Sequence, residues 1–115
     1  MSELKKGKVL LLNSEGCGTA DPDLGYEILM GMMKVLSERD DWPVAIICWN
    51  TAVEMLAGGS PVLPYLKTMA EKGTQILAGQ LCVSQLGLTD KLAIGKTAPM
   101  EDILDLFMHN DVISL

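Results

Sequence analysis

The sequence predicts an α/β protein, a three-layer α/β/α sandwich built on a parallel sheet. Three observations carry this. Short apolar runs stand at 9–12 (VLLL) and 44–49 (VAIICW), and a third short strand-like segment at 74–77 (TQIL) ends in an apolar pair. Segments with apolar residues at helical spacing stand between them. Helix-start signals, Asp21-Pro22 and Ser60-Pro61, open those segments. Strands that alternate with helices join by right-handed crossovers, and a sheet buried on both faces reads as continuous apolar runs rather than as alternation.

The first strand, 9–12, ends at Asn13, and 14–22 (SEGCGTADP) is a Gly-rich loop. Asp21 caps the following helix, with Pro22 at its first position. Leu24, Ile28, Leu29, Met32, Val35 and Leu36 give that helix its apolar stripe. The second strand, 44–49, follows Pro43 and ends at Asn50. Thr51 and Glu54 have capping-box spacing and open one helical turn through Leu56, which Gly58-Gly59 breaks. Ser60-Pro61 starts the next helix, carrying Leu63, Leu66, Met69 and Ala70, and Gly73 sits at its left-handed cap. The third strand is 74–77, and a loop with a short helix, 82–86, comes after it. The fourth strand is expected at 91–94, with 95–99 as a turn. Met100, Ile103, Leu104, Phe107 and Met108 mark the last helix, and 112–115 a fifth strand.

The 115 residues suit a single domain, 1–115, since one core commonly forms at about 100–150 residues. Nearly half the residues are apolar and the net charge is −6. Apolar residues in excess of what one small core needs point to a second copy of the chain as partner. Only Lys5, Lys6 and Lys8 cluster, so the phosphate neutralisation that nucleic-acid binding needs is missing. No apolar run approaches the roughly 20 residues that span a bilayer, and the polar start of the chain is no signal peptide. The expected location is cytoplasmic.

Cys17, Cys48 and Cys82 are an odd set without CxxC spacing, which argues against a disulfide framework, and with one histidine they offer no metal site. Three free thiols remain. Cys48 lies inside an apolar run and reads as core packing. Cys17, between Gly16 and Gly18, is either an accessible thiol beside amides that cradle an anion or an incidental turn residue. The Gly16-Cys17-Gly18 pattern lacks the third glycine of a dinucleotide fingerprint. Cys82 follows the third strand at the start of a short helix. There it is either a thiolate favoured by free amides, or a small apolar side chain packed beneath the loop. Loops 13–22, 50–60 and 78–84 share the carboxyl edge of the sheet, where ligands bind in such folds. Asn13, Asn50, Gly59 and Ser60 are therefore pocket candidates beside Cys82, although each also suits a strand-end turn or a helix cap. His109 ends the last helix at the opposite edge, where a cation suits the helix dipole.

Gly59-Ser60, the helix to Lys72-Gly73, the pattern from Ile76 to Cys82, Gly87-Leu88, Leu92-Ala93-Ile94-Gly95, Met100 and Asp111-Val112-Ile113 resemble the DsrE/DsrF-like family. Upstream, Leu24-Gly25, Leu29-Met30 and Asn50 with Val53 fit the same pattern. The likeness is strongest to the C-terminal domain of YedF-type selenium-metabolism proteins. The resemblance implies a five-stranded parallel sheet of Rossmann-like or flavodoxin-like layering and a homo-oligomer, a trimer or hexamer. It also implies a cysteine at the position of Cys82 that carries sulfur as a persulfide between donor and acceptor proteins, with no cofactor. Relatives often hold a second cysteine where this chain has Gly79, and the first loop here is longer and contains Cys17. A single-cysteine sulfur-relay protein is thus the leading expectation. A non-catalytic module that binds a small ligand or serves assembly is the alternative, and Cys17–Cys82 dithiol chemistry ranks last.

Overall fold

The computed structural model describes residues 7–18 and 20–115. Lys5 and Lys6 of the short basic stretch, and most of the polar start read as lacking a signal peptide, lie outside the described residues.

The elements run β1 (Lys8–Leu12), α1 (Pro22–Ser37), β2 (Ala45–Cys48), a 3-10 helix (Asn50–Leu56), α2 (Leu63–Glu71), β3 (Gln75–Gly79), α3 (Gln80–Gln85), β4 (Lys96–Ala98), α4 (Met100–His109) and β5 (Asp111–Ser114). The five strands form one parallel sheet in the order β4-β3-β2-β1-β5. In register, Leu12 lies beside Cys48 and Cys48 beside Ala78, so β1, β2 and β3 end level with one another. Alternate strand residues serve opposite layers, as strand geometry requires. Leu10, Leu12, Ile46, Cys48, Ile76 and Ala78 pack under α1, α2 and the 3-10 helix. Val9, Leu11, Ala45, Ile47, Leu77 and Ala98 face α4, which sends in Ile103, Leu106 and Phe107. The three layers expected from the sequence are present.

Several local signals operate as expected. Asp21 Oδ1 accepts the Leu24 amide at 3.1 Å, and Pro22 is the first helical residue. Gly73 takes φ +111° after α2, letting the Thr74 amide reach back to the Met69 carbonyl at 3.0 Å. The turn expected from Thr51 forms as a 3-10 helix, but without a side-chain cap.

Four expectations need correction. The fourth strand is not 91–94 but Lys96–Ala98. Leu88, Leu92 and Ile94 pack against the α1–α2 core as a covering loop, and the Ala93 amide donates to the Leu56 carbonyl at 2.7 Å. Gly95, at φ +79°, crosses so close over β3 that an added Cβ would lie 2.7 Å from the Ile76 carbonyl oxygen, and only beyond it does the chain enter the sheet. Helix α2 begins at Leu63 with Pro64 in its first turn; Ser60 and Pro61 lie in the turn before it. Strand β3 extends two residues further than expected, to Gly79, and α3 follows at once at Gln80. In α1 the buried face is Gly25, Leu29, Met33 and Ser37, whereas Leu24, Ile28 and Val35 point to solvent.

Among the described residues no helix is long and apolar enough to cross a membrane.

Candidate functional site

The carboxyl ends of β2 and β3 set the site. Past Cys48, Trp49 is extended and Asn50 turns left-handed at φ +53°. Asparagine tolerates that region better than most residues because its short polar side chain bonds locally. The extended Trp49 carries the Asn50 amide toward the neighbouring strand end, where it donates to Cys82 Sγ at 3.0 Å. Cys82 is the third residue of α3, and its half-buried side chain reaches back over Gly79. A Cβ built on Gly79 would stand 3.4 Å from Cys82 Sγ and 3.2 Å from Trp49 Cβ, so the bare glycine leaves the flank of the sulfur free.

Around this sulfur lies an open depression of about 380 Å³ lined by Trp49, Asn50, Leu81, Cys82, Gln85 and Leu86. Among the described residues the thiol is the one ionisable group of this lining. Such a lining favours a soft, weakly hydrated ligand over a multiply charged one, because it supplies no countercharge. No imidazole or carboxylate in it could act as general base, so a nucleophile here must already be ionised when it reacts.

Behind this rim stands a connected set of hydrogen bonds. Trp49 Nε1 donates to Asn13 Oδ1 at 2.6 Å, and Asn13 Nδ2 donates to Ser114 Oγ and to the Leu115 carbonyl, each at 3.0 Å. The Trp49 ring meets Phe107 of α4 edge to face, centroids 5.8 Å apart. The indole that walls the depression is thereby tied to β1, to the C-terminal residues and to the far layer.

The candidates from the sequence fall in different places. Cys82 and Asn50 meet directly. Asn13 sits behind Trp49 with its side chain fully engaged. Gly59 (φ +88°) and Ser60 form the turn before α2 and are not part of the lining of the Cys82 depression. Cys17 lies in the first loop, packed partly against the core, its amide donating to the Gly25 carbonyl at 2.9 Å. A Cβ on Gly25 would come within 2.5 Å of the Cys17 carbonyl oxygen, so loop and helix touch backbone to backbone. Burial pushes the Cys17 thiol above its ordinary value. Cys48 is sealed in the core, where burial pushes it up to about 12. All three cysteines are free thiols. His109 Nδ1 contacts the Asp105 carbonyl at 2.7 Å near the end of α4, at the opposite edge from Cys82. Among the described residues no three His, Cys, Asp or Glu side chains are grouped to hold a metal ion.

Trp49, Leu81, Gln85 and Leu86 do not stand out in the sequence as site residues. The i, i+4 spacing of Leu81 and Gln85 around Cys82 is a usable signal only once the helix is placed at 80–85.

No family model matches the chain, and no curated protein sequence matches it. Solved structures do match. The YchN protein of E. coli superposes with a TM-score of 0.71 at 10% identity, over 96% of this chain and all of that one. MTH1491 from Methanobacterium thermoautotrophicum, a protein of unknown function, gives 0.68 at 12% identity over 96% of this chain and all of its own. BT1422 from Bacteroides thetaiotaomicron, a conserved protein of unknown function, gives 0.63 at 23% identity over 94% of each chain. The chain is similar to these DsrE-like structures in fold.

Proposed function

We propose that the protein is a single-cysteine sulfur carrier of the DsrE/DsrF type, with the Cys82 thiolate as its working group. The observation that carries this reading is the Asn50 amide donating to Cys82 Sγ at 3.0 Å inside an open, otherwise uncharged depression. The amide fixes the sulfur at the rim of the sheet, where a partner can reach it, and the thiolate is the nucleophilic form of cysteine. The fold likeness and the sequence resemblance support the same reading.

The transfer is a displacement at sulfur. The Cys82 thiolate attacks the outer sulfur of a donor persulfide, R–S–SH. A new S–S bond forms on Cys82, the old S–S bond breaks, and R–S⁻ departs as a thiolate. The proton stays on the transferred sulfur and exchanges with water, and there is no net oxidation. An acceptor thiolate then attacks the outer sulfur of Cys82–S–SH, which restores the carrier. Gly79 leaves room for that added atom, and donor and acceptor are separate proteins. We place this chemistry in a reducing, cytoplasmic compartment and in a homo-oligomer.

To test it, the protein is incubated with a cysteine desulfurase and free cysteine, and intact mass is measured before and after reduction. The wild type should gain one sulfur atom that dithiothreitol removes, and Cys82→Ser should gain none. Equal gain in both, or gain in neither, rejects the reading.

A second reading, a non-catalytic module for a small ligand, is favoured by another hollow of about 310 Å³ between α4 and the β3–β4 edge, walled in part by Lys96, Asp102 and Asp105. It predicts ligand stabilisation in a thermal-shift screen that survives Cys82→Ser.

A further inference from the structure

Helix α1 carries two apolar stripes, and only one meets the core. Gly25, Leu29, Met33 and Ser37 face the sheet and are buried. On the opposite side Leu24, Ile28 and Val35 are 54%, 50% and 56% exposed. Together with Gly31 they follow a four-three-four spacing, which keeps 24, 28, 31 and 35 in one line along the helix. At 3.6 residues per turn that line lies about 150° around the axis from the buried stripe. A Cβ built on Gly31 would meet nothing within 4 Å, so a notch stands open between Ile28 and Val35. The outward face of a surface helix is normally polar. Here Leu24, Ile28 and Val35 each keep half or more of their surface open, and none belongs to either core cluster.

We infer that this line is the contact between two copies of the chain, whose α1 helices pack antiparallel about a two-fold axis. The line is self-complementary in that direction. Reversing one helix about a centre between Leu29 and Met30 sets Leu24 opposite Val35 of the second copy and Ile28 opposite its Gly31. Each Ile28 then enters the notch at Gly31 of the other copy, and Leu24 packs against Val35 at either end of the contact. The flanking charges agree. Glu27 and Lys34 lie two turns apart on the same side of the line, and neither is in an ion pair among the described residues. Antiparallel packing brings each Glu27 to Lys34 of the other copy, giving two attractive pairs by symmetry. Parallel packing instead sets Gly31 level with Gly31 and each charge level with its own kind. Opposed helix dipoles favour the antiparallel form as well. Asp21 and Glu38, which would face each other beyond the last apolar pair, fall where crossing helices diverge. The contact is isologous, the commonest kind in homo-oligomers. It makes no use of Cys82 and is independent of the sulfur chemistry.

The test is sedimentation equilibrium of the full chain. The wild type should form a particle with an even number of chains. Ile28→Glu should halve its mass, with circular dichroism and thermal midpoint retained because residue 28 is half exposed and belongs to neither core cluster. Glu27→Lys and Lys34→Glu each turn two attractive contacts into two repulsive ones. Each should raise the dissociation constant about tenfold, and the double variant should return it to the wild-type value. An odd-numbered or monomeric wild type overturns the proposal. So does full mass in Ile28→Glu, or a double reversal no tighter than the single ones.

Discussion

Asn50, left-handed at φ +53°, donates its backbone amide to the sulfur of Cys82 at 3.0 Å. The two residues lie 32 positions apart, and the sheet register that ends β2 and β3 level brings them together. The turn at Asn50 is therefore a working part of the thiol site, and its substitution separates backbone shape from side-chain chemistry.

Asn50→Gly keeps both the left-handed turn and the amide donor. The alkylation rate of Cys82 should stay within about twofold of wild type, measured by mass spectrometry of iodoacetamide-treated protein. Asn50→Val places a β-branched residue where φ is positive, at a cost of about 1–3 kcal/mol. The variant should melt at a lower urea concentration, and its Cys82 should alkylate more slowly.

The three thiols should rank by environment. At pH 8, with a limiting amount of iodoacetamide, Cys82 should be modified first and Cys17 more slowly, since burial holds the latter protonated. Cys48 should react only after denaturation. A peptide map of the alkylated protein gives the order.

Cys48 also predicts an alkaline loss of stability. Its thiol is pushed from 9.0 up to about 12 by burial, so between these values the unfolded chain has lost a proton that the folded chain keeps. Stability from this source is fully present below pH 9 and falls as pH rises toward 12. Each pH unit in that window costs about 1.4 kcal/mol. From pH 8 to pH 10.5 the wild type should lose about 2 kcal/mol more than Cys48→Ala, because the other titrating groups cancel in the difference. Urea unfolding at the two pH values measures it.

Asn13 is a bracing residue in this structure, since its amide group is occupied by Trp49, Ser114 and Leu115. Asn13→Ala leaves the indole N–H without its partner and should cost about 1–3 kcal/mol in urea unfolding. Trp49 fluorescence should shift as its environment loosens.

The sequence is informative wherever the physics is local. Aliphatic runs mark β1 and β2, Asp21-Pro22 marks the start of α1, and Gly73 marks the end of α2. The apolar neighbours Ile47 and Trp49 are enough to distinguish Cys48, a core thiol, from Cys82. Where two local solutions compete, sequence reading fails. LAI at 92–94 has strand composition, yet it covers the α1–α2 core, while the more polar Lys96-Thr97-Ala98 makes the edge strand. Periodicity in α1 shows apolar residues without telling which stripe faces inward. Asn50 is legible as a strand-end polar residue, but the use of its backbone N–H is not. The Asn13–Leu115 contact spans 102 positions, and no local pattern encodes it.

The central claim is that sulfur rides on Cys82, and cyanolysis tests it most directly. After loading by a cysteine desulfurase and removal of small molecules, cyanide releases persulfide sulfur as thiocyanate, which is counted per chain. The account predicts one labile sulfur per chain in the wild type and in Cys17→Ser, and none in Cys82→Ser. Labile sulfur that persists in Cys82→Ser, or a wild type that never acquires any, contradicts it.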